Sequence, residues 1–466
     1  MQNVRDFGAR GDGFTKDTAA IQRAIDAGGM VLLPPGIYLS GTLYLKSGGG
    51  LHLECGAVLL ASPDPEDYNA VDFCPQNRDS KLEIMSGAHL ITAVEQSDIC
   101  ISGGGRIDGN RKVFYGTDEE PGCVRLEEKF DLPQDTWRPG QMLFLCECTR
   151  VQIHNVQLFN APYWTCFLHG CEDVMISGIR ILNDQRTKNG DGIDIDCCRR
   201  VTVSDCIIDS GDDCITLRAN ETRLKQPKPC EYITISNCVL HTNCNAFRIG
   251  VGNGLIRRCT ISNIVFHDTR TAVCLVSNYS CKEQEVQIED ISFSNLQMEC
   301  VRPFFFGSTP SGSLQGLGKV TRNISVNQVR GTAAMPSIIQ GSSPDKMTNI
   351  SFSDVELSMN DFKAPRVHDF DPQEPYGEFC KKNPNAAFLV QRTKNVSFRN
   401  IKITWDDAKN PIWKFGLISD DSENTTCADC DFGKANQQSP KYSGSWEKSP
   451  EDLSNPSPAT CNVAFV

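Results

Sequence analysis

Long apolar runs are missing from this 466-residue chain, and so is a basic-then-apolar leader after Met1. The first absence excludes a helix that spans a membrane. The second places the protein in the cytoplasm, or in a secreted or periplasmic setting if a signal peptide has been removed. A positive surface is missing too: 46 basic against 58 acidic residues leave a net charge of −12, which argues against nucleic acid as a partner. A polyanionic substrate must then be met by a few local arginines or lysines. Histidine is scarce, seven in all, and none falls at a catalytic spacing.

Cysteine is plentiful: the chain holds 23, an odd number, many of them on strand patterns (Cys171, Cys198, Cys206, Cys230, Cys238, Cys259). A disulfide framework belongs to short secreted chains. Here the cysteines read as small buried apolar side chains in a reducing compartment. Cys427-Ala-Asp-Cys430 resembles half of a zinc site, but no second pair stands at ligand spacing. Neither a metal nor a cofactor is expected.

Residues 2–27 read as a strand, a Gly/Asp loop and a helix. Asp17 or Thr18 is the expected N-cap, Ile21, Ala24 and Ile25 form the apolar stripe, and Gly28-Gly29 ends the helix. Short strands with Gly-rich corners follow, at Met30–Leu33, Thr42–Leu45 and Leu51–Glu54, with no long helix between them. Residues 64–84 and 106–140 lack periodicity and read as long loops, which in a compact fold are more often functional than not.

From residue 99 one alternating pattern recurs, starting at Ile99, Val151, Val174, Val201, Ile233, Cys259, Ile291, Ile324, Ile350 and Val396. Apolar–polar alternation marks strands with one buried face. A period near 20–30 residues without helices marks a parallel β-helix, since propeller blades need about 40–45 residues each. The expected architecture is an all-β, single-stranded parallel β-helix over residues 1–437. Its exposed first coil is covered by a cap at about 1–30. The pattern fades after Trp405, and residues 438–466, rich in Ser, Pro, Lys and Glu at first, read as a tail on the outside of the coil. Asn323-Ile324-Ser325 and Asn349-Ile350-Ser351 sit inside the repeat and read as corner residues, not glycosylation sites.

The chemistry concentrates between Asn189 and Arg218. Asp191 lies in Asn189-Gly190-Asp191-Gly192, the pair Asp212-Asp213 in Gly211-Asp212-Asp213-Cys214, and one copy of the strand pattern separates them. Asp-Gly turns have structural uses of their own. Two acidic turns one repeat apart, however, meet about 4.8 Å apart along a solenoid axis. Carboxylates that close cannot all ionise cheaply, so at least one should titrate high, which yields an acid and a base from one residue type. Asp194 and Asp196 alternate with Ile193 and Ile195, so they point outward, with Asp194 beside the cluster.

These motifs carry a resemblance. The chain resembles the family 28 glycoside hydrolases, the polygalacturonase group, which are right-handed parallel β-helices. Residues 3–13 with the helix after them, Leu33-Pro34-Pro35-Gly36-Ile37-Tyr38 and Asn160-Ala161-Pro162-Tyr163-Trp164 match the family's fold markers. Asn189-Gly190-Asp191-Gly192 is similar to its Asn-x-Asp-Gly motif and Gly211-Asp212-Asp213 to its Gly-Asp-Asp motif. The resemblance implies an inverting hydrolase with Asp212 as general acid, Asp191 and Asp213 activating water, and Asn189 orienting the site. Two family motifs are replaced: Cys244-Asn245-Ala246 stands where Gly-His-Gly is expected, and Cys274-Leu275-Val276 where Arg-Ile-Lys is expected. Arg248 then becomes the candidate partner for a substrate carboxylate, with Arg218 and Arg270 behind it.

The expected function is hydrolysis of a pectic, uronate-containing oligo- or polysaccharide, with exo action if the loops close one end of the groove. Two alternatives stand beside it. A pectate-lyase-type enzyme needs Ca²⁺ and a basic residue, and a non-catalytic carbohydrate-binding β-helix turns nothing over.

Overall fold

The computed structural model describes residues 1–77, 86–115, 137–277, 285–308, 319–360, 386–405, 415–433 and 463–465. Its strands pair in parallel, each with its counterpart one coil away, to form a right-handed parallel β-helix. The ten positions that begin the sequence repeat face one another in one row, from Ile99 through Val151, Val174, Val201, Ile233, Cys259, Ile291, Ile324 and Ile350 to Val396. Among the described residues no helix is long and apolar enough to cross a membrane.

The corner before this row is built alike in every coil. Asp98, Arg150, Asp173, Arg200, Tyr232, Arg258, Asp290, Asn323, Asn349 and Asn395 all take left-handed backbone, with φ between 53° and 60°. Asparagine tolerates that region better than most residues. It also stacks: Asn349 Nδ2 donates to Asn323 Oδ1 at 3.1 Å, Asn395 to Asn349 at 3.0 Å, and Asn424 to Asn395 at 2.8 Å. Asn323 and Asn349 are thus corner residues.

Within the expected 1–437 coil the pattern that fades after Trp405 returns, and two other boundaries differ from the sequence reading. The row continues to Thr425, so the coil runs past Trp405 through strands Phe415–Asp420 and Glu423–Ala428. A threonine at the apolar station hides that copy. Val463–Phe465 pairs with Phe415–Asp420, so the end of the chain rejoins the sheet; residues 438–462 lie outside the described residues. Within the presumed loop at 106–140, Arg106–Asp108 is a strand and Arg111–Tyr115 a short helix, elements too short to show a period. Residues 78–84 and 116–136 of the two loop segments lie outside the described residues.

The helix Thr18–Asp26 buries Ala20, Ile21, Ala24 and Ile25, and Gly28 and Gly29 end it with φ of 85° and 76°. Asp17 does not cap it. Its carboxylate instead accepts the backbone N–H groups of Arg10 (2.8 Å) and Gly11 (2.9 Å), tying the preceding loop to the helix.

Inside the coil, the C-terminal half is filled by phenylalanines. Phe352 stacks on Phe398 at 5.3 Å between centroids and meets Phe304 and Phe388 edge-on at 5.3 and 5.6 Å. Phe352→Ala should therefore cost about 3–5 kcal/mol, read as a lowered denaturant midpoint. A loss below about 1 kcal/mol would mean that the coils close over the gap.

Candidate active site

Asp191 lies two residues before strand Ile193–Asp196, and Asp213 two residues before strand Ile215–Ala219. These strands pair Ile193 with Ile215, and Gly192 N donates to Asp213 O at 2.9 Å. The two acids thus occupy the same position on adjacent coils. The next coil carries Asn245 there, since Ile215 pairs with Phe247. Glycine is required between them: a Cβ on Gly192 would stand 2.4 Å from the Cys214 carbonyl oxygen, and one on Gly211 2.7 Å from those of Asp184 and Thr187.

Asp191 and Asp213 are buried, at 4% and 8% exposure, while Asp212 is half-buried. The Asp212 turn is held through its carbonyl, which accepts from Ser210 Oγ at 2.7 Å and from the Thr242 hydroxyl. Asn245 grips Asp213 twice: its side-chain Nδ2 donates to Oδ1 at 2.7 Å and its backbone N at 3.2 Å. Burial pushes Asp191 well above the usual carboxylate range, reinforced by the charges of Asp194, Asp212 and Asp213 and opposed by Arg218. Burial and Asp212 push Asp213 up to about 6, against Arg248 and Asn245. Three close carboxyl groups thus hold fewer than three charges in mildly acidic water, and their proton belongs to the cluster.

The cationic candidates surround this cluster. Arg218, 6% exposed, lies 3.4 Å from Asp194 Oδ1 with its guanidinium over the Trp164 ring at 4.2 Å. Arg248, 4% exposed, donates Nη1–H to the carbonyls of Ile249 (3.0 Å) and Val276 (3.3 Å) and acts on Asp213 electrostatically. Arg270 is partly exposed, with Nη2 3.3 Å from Cys244 Sγ, next to Asn245. Asn189 takes left-handed backbone (φ 52°), and its Oδ1 accepts from Arg138 Nη2 at 3.5 Å. Asp194 does face outward, yet it is fully buried, accepting from Thr216 Oγ1 at 2.5 Å.

Sequence reasoning missed four participants. Asn245 stands where a histidine was expected, and its own turn carries no acidic signal. Arg138 lies in a segment read as loop; it donates to the carbonyls of Lys188 (2.6 Å) and Pro162 (2.7 Å) and sits over Tyr163 at 4.6 Å, bracing the Asn189 turn. Arg111 reaches the same turn from its short helix, donating to Thr187 Oγ1 at 2.5 Å and standing 3.3 Å from Asp184. Trp164 was quoted as a fold marker only, although it continues an aromatic row through Phe167 and Phe144. Asp212, Asp213 and Cys244 also bring two carboxylate oxygens and a thiol within 4.8 Å of one another, a set able to hold a cation.

Three carboxyls gathered on adjacent turns of a parallel β-helix are equipped for acid–base chemistry, and the comparisons with known proteins give the class, a glycoside hydrolase, and its family. The profile of glycosyl hydrolases family 28 matches residues 76–368, and that of the rhamnogalacturonase A/epimerase, pectate lyase-like group matches residues 1–48. The chain belongs to glycosyl hydrolases family 28. It is 30% identical to a probable polygalacturonase of Vitis vinifera over 226 residues, 46% of this chain and 43% of the grape protein. It is 28% identical to an exo-poly-alpha-D-galacturonosidase of Dickeya chrysanthemi over 252 residues, 47% of this chain and 42% of that protein. The chain thus spans less than half the length of either relative. The family 28 exopolygalacturonase of Yersinia enterocolitica superposes with a TM-score of 0.64 at 20% identity, covering 91% of this chain and 77% of the other.

A buried carboxyl whose value is raised on folding favours the folded state below its unfolded value and opposes it above the folded one. Asp213, raised from 3.8 to about 6, thus weakens the fold at neutral pH by roughly 3 kcal/mol at most. Asp213→Asn should melt higher than the parent near pH 8, with the gain shrinking below pH 4. No gain at pH 8 would show that Arg248 and Asn245 fully compensate the charge.

Proposed function

We propose that this chain is an inverting glycoside hydrolase that cleaves uronate-containing pectic saccharides from chain ends or in short oligosaccharides. The carrying observation is the cluster itself, two buried carboxyls and one half-buried carboxyl on adjacent coils, with burial and mutual charge raising Asp191 and Asp213. Asp212 is the most exposed of the three, so it is the member that reaches a glycosidic oxygen and delivers the proton as the bond breaks. Asp191 and Asp213 hold the water that attacks the anomeric carbon from the opposite face and take up its proton. Asn189 and Asn245 fix the turns from either side.

Arg248, Arg218 and Arg270 supply the positive charge that a uronate needs. Arg270 is the accessible one, and Arg248 and Arg218 act from below. Exo action is supported by the exo-acting relative and by the segments beside the acids. Arg111 and Arg138, both from the 106–140 segment, pack against the Asn189 turn on its N-terminal side. Thirteen of the described cysteines are buried, small apolar side chains of the core that suit a reducing compartment; a secreted enzyme of this sequence would carry the same cysteines in the core.

Asp212→Asn keeps the shape of the side chain and removes the proton it gives. It should lower kcat on an oligogalacturonate by about two to four orders of magnitude, yet leave an aryl glycoside with an acidic phenol much less affected. Near-normal turnover of the oligosaccharide by this variant would place the acid elsewhere. Products with an unsaturated ring would make the chain a lyase, and sugar binding without turnover a binding module.

The parent kcat/KM should also fall once pH rises past the range in which the cluster keeps its last proton, which lies above the ordinary carboxylate range. A profile that keeps rising past that range would contradict a protonated acid.

A further inference from the structure

Two of the chain's seven histidines stand together. His241 and His267 occupy the same outward position on successive coils, because Leu240 pairs with Phe266 just before them. Asp209 takes that position one coil earlier, paired directly with His241. The two imidazole rings stack with centroids 4.8 Å apart. One carboxylate oxygen and one nitrogen from each ring lie within 4.8 Å of one another. His241 turns Nδ1 toward Asp209 Oδ1, at 3.7 Å, and Nε2 toward Asp268 Oδ2, at 3.6 Å.

We propose that Asp209, His241 and His267 form a binding site for one divalent transition-metal ion such as zinc, cobalt or nickel. Two imidazoles and a carboxylate are a donor set for borderline ions, not for calcium or magnesium. Bonds of about 2.0–2.2 Å bring such ligands closer to each other than 4.8 Å, a closure within reach of side-chain rotation on a rigid strand row. Asp268 stands on the ring nitrogen away from Asp209. It then plays the part of the carboxylate that orients a metal-bound histidine. Asp209 and Asp268 supply two negative charges, which a divalent ion offsets.

Without metal, a proton does this work. Burial would lower His241, but the Asp209 and Asp268 carboxylates prevail and raise it to about 9. The ion has to displace that proton. The site also touches the catalytic turn: Asp209 precedes Ser210 and His241 precedes Thr242, the two hydroxyls that hold the Asp212 carbonyl.

The test is titration of the full-length, chelator-treated, reduced protein with Co²⁺, followed by visible absorption and calorimetry. The parent should bind one Co²⁺ with ligand-field bands and no near-ultraviolet thiolate charge-transfer band. His267→Ala, a change at an exposed side chain, should abolish that spectrum. Asp268→Asn should weaken binding about tenfold or more. Failure of Co²⁺, Ni²⁺ and Zn²⁺ to bind at millimolar concentration would overturn the proposal and leave a proton-bridged cluster. So would binding unchanged by His267→Ala, or a thiolate band, which would move the ion to the cysteines.

Discussion

Everything in this molecule depends on coil-to-coil register. A parallel ladder sets each residue beside its counterpart one strand away, about 4.8 Å off, and cannot slip by one residue without turning its apolar face outward. The interior enforces the register through stacked Val, Ile, Cys and Phe stations, and the corners through left-handed residues and asparagine stacks. The same constraint that orders the core places Asp191, Asp213 and Asn245 in line. The geometry of the acidic cluster is a by-product of the ladder, held on strands whose positions are fixed many times over.

The electrostatics follow from that geometry. Acids brought together by register repel, and burial adds to the penalty, so Asp191 and Asp213 titrate high. The fold tolerates this because cations are built into the same outward rows. Arg218 follows Thr216, the partner of Asp194, and Arg248 pairs with Thr216 from the other side. Both guanidiniums are buried, so each acts on the carboxyls at short range with little screening. Such an arrangement trades folding stability for a shared proton, as sites of acid–base chemistry do.

The fold was largely readable from the sequence because period carries architecture. All ten repeat stations fell in one row, since an apolar station cannot be dropped without opening the core. Legibility failed where the station is polar, as at Thr425, or where the element is shorter than a period, as at Arg106–Asp108 and Arg111–Tyr115. In the site, the three aspartates stood out by type and spacing. Asn245 and Arg138 did not, because their roles exist only across coils: Asn245 acts on Asp213 through the ladder, and Arg138 reaches Lys188 and Asn189 from a distant segment. The capping role expected of Asp17 failed for a related reason, since the nearby loop amides of Arg10 and Gly11 outcompete the helix for its carboxylate.

The central claim is that carboxyls on neighbouring coils direct water to the face of the sugar opposite the leaving group. The most direct test follows the anomeric proton of the first-formed product by NMR while an α-linked oligogalacturonate is digested. The account predicts that the β-anomer appears first and then mutarotates. Initial release of the α-anomer would contradict it, since retention requires a covalent intermediate on one of these aspartates.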